Sequence, residues 1–202
     1  MPPRPEEIRP QAGAARPPAG PRPLLILVGG CADRVLRKVG RVHDRLAALP
    51  DAAACVLHYR HHDQERAILA LIEAQPPGTS IRLLGHSWGG HAAARIAAIL
   101  GARGRPVDLL VTVDPVARRI GPDFLAQVKA GARRWINLRA AGGERFHPSD
   151  LVAAVGGPYG AAPRGHADLH LDLPHPHAAF EDMLACRLPD GSSLLERALG
   201  QG

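Results

Sequence analysis

Short apolar runs alternate along the chain with longer stretches in which apolar residues recur at helical spacing. Residues 24–28, 81–84 and 107–113 have few polar positions, a pattern typical of strands buried on both faces of a parallel sheet. Residues 33–49 and 63–74 place apolar side chains three and four positions apart, which predicts amphipathic helices. Strands that alternate with helices in this way are joined by right-handed crossovers, so we expect helices on both faces of the sheet.

Weaker patterns complete this alternation. Residues 54–59 and 134–138 predict two more strands, and residues 168–173 alternate polar and apolar side chains as an edge strand does. Further helices are predicted at residues 91–100, 122–130, 149–155, 178–186 and 193–199. The glycines and prolines of residues 139–165 indicate a long loop, either a partial lid or a mobile rim. The predicted fold class is α/β, with an open parallel sheet of about six strands.

Composition divides the chain into a tail and one domain. Residues 1–23 are rich in proline and arginine and poor in apolar residues, so we expect a disordered tail. Residues 24–202 are long enough for a single domain with a sizeable core. Aromatic residues make up only 3% of the chain, so that core must consist of Ala, Leu, Val and Ile.

Charge and cysteine usage narrow the function classes. The 25 basic residues exceed the 19 acidic ones, but they form no concentrated basic face with interleaved aromatics, so we expect no nucleic-acid partner. No apolar stretch approaches the length of a membrane span. Three cysteines, Cys31, Cys55 and Cys186, show no Cys-X-X-Cys spacing, which favours free thiols and a cytoplasmic location. The sequence leaves the oligomeric state open.

The sequence GHSWGG at residues 85–90 carries the main chemical signal. An apolar strand runs directly into it, and an alanine-rich helix follows without a linker. A turn this sharp forces Ser87 into a strained backbone conformation and leaves its side chain projecting, while Gly85 and Gly89 remove side chains that would collide. A structural turn of glycine and serine is the alternative, because the bare Gly-X-Ser-X-Gly pattern arises by chance in glycine-rich chains.

In this setting the sequence resembles the α/β-hydrolase family, in particular small, lid-poor bacterial esterases, thioesterases and lipase-like proteins that carry GHSWGG. The resemblance covers residues 24 to about 188. It extends to the central and C-terminal strands of the family, without the two N-terminal strands that larger members carry. It implies that Ser87 is a nucleophile, followed in the chain by an acid and a histidine at the carboxyl ends of later strands. A serine hydroxyl needs both groups, since it is a weak nucleophile by itself.

Asp114 and Glu144 are the candidate acids. Asp114 directly follows the strand predicted at 107–113, and Pro115 ends that strand, so the carboxylate should lie at the carboxyl edge of the sheet. A role as a cap or turn residue is the alternative for Asp114. Glu144 lies after the next strand, the commoner position in the family, but its Gly-Gly-Glu-Arg setting indicates a solvated side chain.

Four histidines near the C-terminus are candidates for the base. By the resemblance the base follows the last strand, which excludes His170 within that strand and disfavours His166 before it. His175 and His177 remain. We prefer His177 because it stands just ahead of the helix predicted at 178–186, as the catalytic histidine does in similar hydrolases.

An oxyanion hole is also implied by the resemblance. It would use the backbone N–H of Trp88 and one from Gly30 or Cys31, in a turn whose glycines let the backbone approach a substrate. A plain strand-to-helix turn is the alternative. We interpret the side chains of His86 and Trp88 as packing or pocket-wall groups.

Eleven histidines raise the question of a metal site. The clusters at residues 58–62 and 166–172 lack a familiar ligand spacing, so we expect neither a metal nor a cofactor. The sequence thus predicts a serine hydrolase that cleaves a small-molecule carboxylic ester or thioester through an acyl-enzyme. The triad would be Ser87, His177 and Asp114. A non-catalytic binding protein of the same fold and an acyltransferase with the same triad are the alternatives.

Overall fold

A six-stranded sheet lies at the centre of the computed structural model, which describes residues 21–49, 54–142 and 147–199. The strands are β1 (Leu24–Gly29), β2 (Val56–His61), β3 (Ile81–His86), β4 (Val107–Val113), β5 (Ala132–Ala140) and β6 (Leu169–Leu173). Their order in the sheet is β2-β1-β3-β4-β5-β6, and every neighbouring pair is parallel. The strand predicted at 168–173 is therefore an edge strand, as its alternating pattern indicates.

Helices connect these strands. They are α1 (Asp33–Leu36), α2 (Lys38–Ala47), α3 (Glu65–Glu73), α4 (Trp88–Ala102), α5 (Pro122–Ala130), α6 (Pro148–Gly156), α7 (Phe180–Leu184) and α8 (Leu194–Leu199). In the part of the chain that the structure describes, no helix is both long and apolar enough to cross a membrane.

Two apolar layers cover the sheet. Alternate residues of β1 face opposite sides, so Leu24 and Ile26 pack with α3, α4 and α5, whereas Leu25 and Leu27 pack with α2, α7 and α8. Burial on both faces explains why the inner strands have few polar positions. The predicted α/β fold class, with an open parallel sheet of six strands and helices on both faces, is confirmed. Most of the predicted tail, residues 1–20, lies outside the described residues.

The first predicted helix differs from the structure. Instead of one helix over residues 33–49, the chain forms α1 and α2, which are separated by Arg37 with a φ of +50°. The carboxylate of Asp33 accepts the N–H groups of Val39 and Gly40 at 2.8 and 3.2 Å. Asp33 thus satisfies two orphan donors at the start of α2 rather than capping the helix in which it lies.

The segment predicted as a long loop, residues 139–165, contains α6 and a 3₁₀ helix at Ala162–Gly165. Its middle pairs with the chain that follows β4, since Ala117 N–H donates to Gly157 O at 2.7 Å and Tyr159 N–H donates to Pro115 O at 2.9 Å. These bonds hold α6 beside the carboxyl edge of the sheet. A role as a lid remains a prediction.

Candidate active site

The junction of β3 and α4 gives Ser87 an unusual backbone. Its φ of +57° and ψ of −129° lie in a region that non-glycine residues rarely adopt. Surrounding bonds hold this conformation: Ser87 N–H donates to Val113 O at 3.0 Å, and Gly90 N–H donates to Ser87 O at 2.9 Å. The strained serine therefore belongs to a strand-turn-helix unit, as the motif predicts.

Two glycines allow the close approach of α4 to the sheet. A Cβ on Gly85 would lie 2.6 Å from the carbonyl carbon of Gly89, and one on Gly89 would lie 2.7 Å from the carbonyl carbon of Val28. Both clashes involve backbone, which cannot rotate away as a side chain can. The two positions thus require glycine if Ser87 is to stay at this junction.

Ser87, His177 and Asp114 are brought together at the carboxyl edge of the sheet. His177 Nε2 lies 3.0 Å from Ser87 Oγ, and His177 Nδ1 lies 2.6 Å from Asp114 Oδ2. The side chains of His177 and Asp114 are almost fully buried. Three different strand ends supply them, because Ser87 follows β3, Asp114 follows β4 and His177 follows β6.

The polarity of this relay follows from its donors and acceptors. An ionised carboxylate only accepts hydrogen bonds, so His177 Nδ1–H donates to Asp114. The lone pair of Nε2 is then free to accept the hydroxyl proton of Ser87. Ser87 is only 9% exposed, because Gly30 and His177 lie against it. Its side chain is therefore recessed rather than projecting.

The turn after β1 lies against the serine. A Cβ on Gly30 would be 2.9 Å from Ser87 Cβ and 3.3 Å from its Oγ, so only glycine lets this backbone come so near. Cys31 is exposed beside it, and Trp88 begins α4, where the first N–H groups have no partner within the helix. Of the three predicted oxyanion-hole residues, Gly30 thus lies against Ser87, Cys31 follows Gly30 in the same turn, and Trp88 follows Ser87 directly in the chain.

The other predicted candidates lie elsewhere. His170 lies within β6, where its ring accepts from Asn137 Nδ2 at 3.2 Å and donates to Asp172 at 3.1 Å. His175 lies in the turn after β6, where its N–H donates to Leu173 O. Of the two candidate bases, His177 is the one whose ring lies at Ser87. Glu144, the alternative acid, lies outside the described residues.

Two residues, His86 and Asp150, make contacts with His177 that the sequence did not predict. His86, interpreted as a packing residue, stacks on the His177 ring with centroids 4.8 Å apart and donates Nε2–H to His177 O at 2.9 Å. Burial lowers the pKa of His86 to about 4, so its ring is neutral. Asp150 accepts the N–H of His177 at 2.7 Å. His86 could have been suspected only because it directly precedes Ser87 in the motif. Asp150 is 27 positions from His177, and no local pattern in the sequence indicates their contact.

No metal site is apparent among residues 21–49, 54–142 and 147–199, where no three His, Cys, Asp or Glu side chains are grouped to hold an ion. In the 58–62 cluster, His61 Nδ1–H instead donates to Asp63 at 2.9 Å. Of the cysteines in the same part of the chain, Cys31 is exposed, Cys55 is buried and Cys186 is half-buried.

A cavity of about 200 Å³ borders Asp114. Its lining includes Arg139, Asp150 and Pro158, but not Ser87. A pocket for an acyl group must open at the serine, so this cavity is not assigned to substrate.

Comparison with protein-family models and with curated proteins gives no match. Among solved structures, the chain is similar to the NocB thioesterase domain in covalent complex with a fluorophosphonate nocardicin G analogue (18% identity, 90% of this chain and 96% of that one, TM-score 0.48). It is also similar to RedJ, a thioesterase from the prodiginine pathway of Streptomyces coelicolor (16%, 93% and 96%, 0.47). A third is YbtT, a type II thioesterase from yersiniabactin biosynthesis (14%, 81% and 88%, 0.47). At such identities these similarities identify no substrate.

Proposed function

We propose that this protein is a serine hydrolase that cleaves a carboxylic ester or thioester through an acyl-enzyme intermediate. The observation that carries the proposal is the continuous relay from Ser87 Oγ to His177 Nε2 at 3.0 Å and from His177 Nδ1 to Asp114 Oδ2 at 2.6 Å. Both distances are those of hydrogen bonds that can transfer a proton.

Acylation begins when Ser87 Oγ attacks the carbonyl carbon and its proton passes to His177 Nε2. Asp114 stabilises the imidazolium that forms. The carbonyl oxygen becomes an oxyanion, which the N–H of Trp88 and that of Gly30 or Cys31 would stabilise. When the bond to the leaving alcohol or thiol breaks, that group takes the proton from His177.

Deacylation repeats these steps with water. His177 takes a proton from the water as its oxygen attacks the acyl carbon, and Ser87 leaves with that proton as the acid is released. Acyl transfer uses the same relay with an alcohol or amine in place of water. Product analysis with competing nucleophiles therefore distinguishes an acyltransferase from a hydrolase.

A fluorophosphonate probe tests the proposal directly. We expect the folded protein to form a covalent adduct at Ser87, identified by peptide mass spectrometry, and the Ser87→Ala variant to form none. Turnover should be measurable in a series of p-nitrophenyl esters and acyl thioesters. A folded protein that is neither labelled nor active would instead support the non-catalytic binding protein.

The substrate is proposed to be a small-molecule acyl ester or thioester, and the location cytoplasmic. The odd number of cysteines and the absence of Cys-X-X-Cys spacing support a reducing compartment.

A further inference from the structure

The peptide backbone of His177 is held at both of its polar groups. Its N–H donates to Asp150 Oδ1 at 2.7 Å, and its C=O accepts Nε2–H of His86 at 2.9 Å. These two partners come from different elements, because Asp150 lies in the first turn of α6 and His86 ends β3. The side chain of the same residue is bonded to Ser87 and Asp114.

The first turn of α6 also holds the residue after His177. Ala178 N–H donates to Ser149 Oγ at 3.0 Å. His147 Nδ1 accepts the N–H of Ser149 at 3.2 Å and lies 2.6 Å from its Oγ, so the serine hydroxyl donates to that nitrogen. The lone pairs of Ser149 Oγ therefore remain available to Ala178 N–H, so that every donor in this series of hydrogen bonds faces an acceptor.

The far end of α6 is anchored beside Ser87. Ala117 N–H donates to Gly157 O at 2.7 Å, and a Cβ on Gly156 would collide with Val116 Cγ1. Val116 N–H in turn donates to Ser87 O at 3.2 Å. Because α6 is tied to the serine at one end and to the histidine loop at the other, it fixes the distance between them.

We propose that Asp150 and His86 are positioning residues that together fix the backbone of His177, so that its ring stays within hydrogen-bond reach of Ser87. This inference rests on the proposed function. It assigns a role to α6 that differs from a lid. In this role α6 holds the backbone of His177 in place and does not cover the substrate.

His86 suits this role because it is neutral and packed. Burial lowers its pKa to about 4, so at neutral pH it adds no positive charge beside His177. The charged and titratable groups near it are His177, Asp114 and Lys38. Its ring also contacts Phe180 of α7, with centroids 5.0 Å apart, which limits rotation.

The test compares Asp150→Ala with Asp150→Asn. Alanine removes the acceptor for His177 N–H, whereas the amide oxygen of asparagine preserves it. A misplacement of about 1 Å in a catalytic group costs roughly 100-fold in rate, so we expect Asp150→Ala to lower kcat between about 10-fold and 100-fold with KM nearly unchanged. Asp150→Asn should recover kcat to within about threefold of the wild type.

Asp123→Ala is the matched control, because Asp123 occupies the first turn of α5, another helix that begins with proline. It should leave kcat unchanged. Thermal unfolding of all variants measures any loss of fold. If Asp150→Ala and Asp150→Asn have equal kcat, whether normal or reduced, the proposed role of Asp150 is overturned.

A second readout does not depend on turnover. The proton on His177 Nδ1, bonded to Asp114, should give a downfield ¹H NMR resonance, assigned by its absence in His177→Gln. We expect it to shift or broaden in Asp150→Ala and to persist in Asp150→Asn and Asp123→Ala. An unchanged resonance in Asp150→Ala refutes the positioning role. If the resonances change as expected but the wild type neither reacts with the fluorophosphonate probe nor turns over any substrate, only the proposed hydrolase function is refuted.

Discussion

Asp114 combines an unusual backbone with two hydrogen bonds. Its φ is +40°, and its peptide N–H donates to Leu138 O at 2.7 Å. One carboxylate oxygen accepts Ala140 N–H at 3.1 Å, and the other accepts the Nδ1–H of His177. The carboxylate therefore connects the ends of β4 and β5 to the proposed base.

We expect Asp114→Asn to lower kcat by about 10⁴-fold, the loss that the equivalent change causes in a Ser-His-Asp triad of another fold. An amide NH₂ facing Nδ1 favours the tautomer that carries its proton on Nε2, which cannot then accept that of Ser87. The remaining amide oxygen can still accept Ala140 N–H, so the melting temperature should change little. Steady-state kinetics and thermal unfolding measure both effects. A kcat close to that of the wild type would contradict the assignment of Asp114.

At the level of elements, the contact between α4 and β1 depends on Gly89. Alanine is the better helix former by about 1 kcal/mol, which favours a Gly89→Ala substitution in isolation. Its Cβ would, however, lie 2.7 Å from the carbonyl carbon of Val28, and backbone on both sides must move to relieve that clash. The steric cost is larger than the gain in propensity.

We therefore expect Gly89→Ala to lower the free energy of unfolding by about 1–3 kcal/mol, the usual cost of overpacking. Activity should fall as well, because Ser87 lies two positions away on the displaced turn. Gly165→Ala is the control, since a Cβ at Gly165 meets nothing within 4 Å. Its effect should stay within about 0.5 kcal/mol. Urea unfolding of both variants decides the matter, and equal stabilities would show that α4 adjusts freely.

The elements that the sequence predicts well are those with local causes. The apolar run of β1 reflects burial on both faces, and the glycines flanking Ser87 reflect the close approach of α4. The break at Arg37 has no such signal, because an arginine at positive φ is uncommon and nothing in the pattern marks it. That conformation is held by Asp33, whose carboxylate bonds to the start of α2 and to Tyr59 OH at 2.6 Å.

The site shows the same division. The order of Ser87, Asp114 and His177 can be proposed from strand ends and a family resemblance, because each follows a predicted strand. The contact of Asp150 with His177 joins the start of a helix predicted within a long loop to the loop that follows the last strand. Such contacts depend on the tertiary placement of α6, so no periodicity or spacing predicts them.

For the molecule as a whole, two histidines, the buried His86 and the half-buried His91, couple folding to pH. His86 is buried, and burial lowers its pKa to about 4 from an ordinary value of 6.5. Burial also lowers the pKa of His91 to about 4, with a smaller contribution from Arg95. The ring of His91 lies 2.6 Å from Tyr159 OH through Nδ1, so neutral His91 accepts the phenol proton.

The sign of the effect follows from where protons bind. A histidine with a pKa of about 4 in the folded state and 6.5 in the unfolded state binds protons preferentially when unfolded. Its contribution to stability is complete above pH 6.5 and is lost as the pH falls toward 4. For His86 the loss amounts to about 3 kcal/mol, since each unit of pKa difference is worth about 1.4 kcal/mol. His91 adds a smaller loss because it is only half-buried.

We therefore expect the free energy of unfolding, measured by urea titration, to fall by about 3 kcal/mol or more between pH 7 and pH 4.5. Carboxyl groups with lowered pKa, such as Asp168 and Asp172, lose their contributions only at more acid pH and do not produce this slope. His91→Asn supplies the internal comparison. Its amide oxygen can take the place of Nδ1 and still accept the hydroxyl of Tyr159, but one titrating ring is removed, so the slope should decrease while stability at pH 7 changes less. A stability that is flat over this range would mean that neither imidazole is kept neutral by burial, and the account of His86 as an uncharged support for His177 would fail with it.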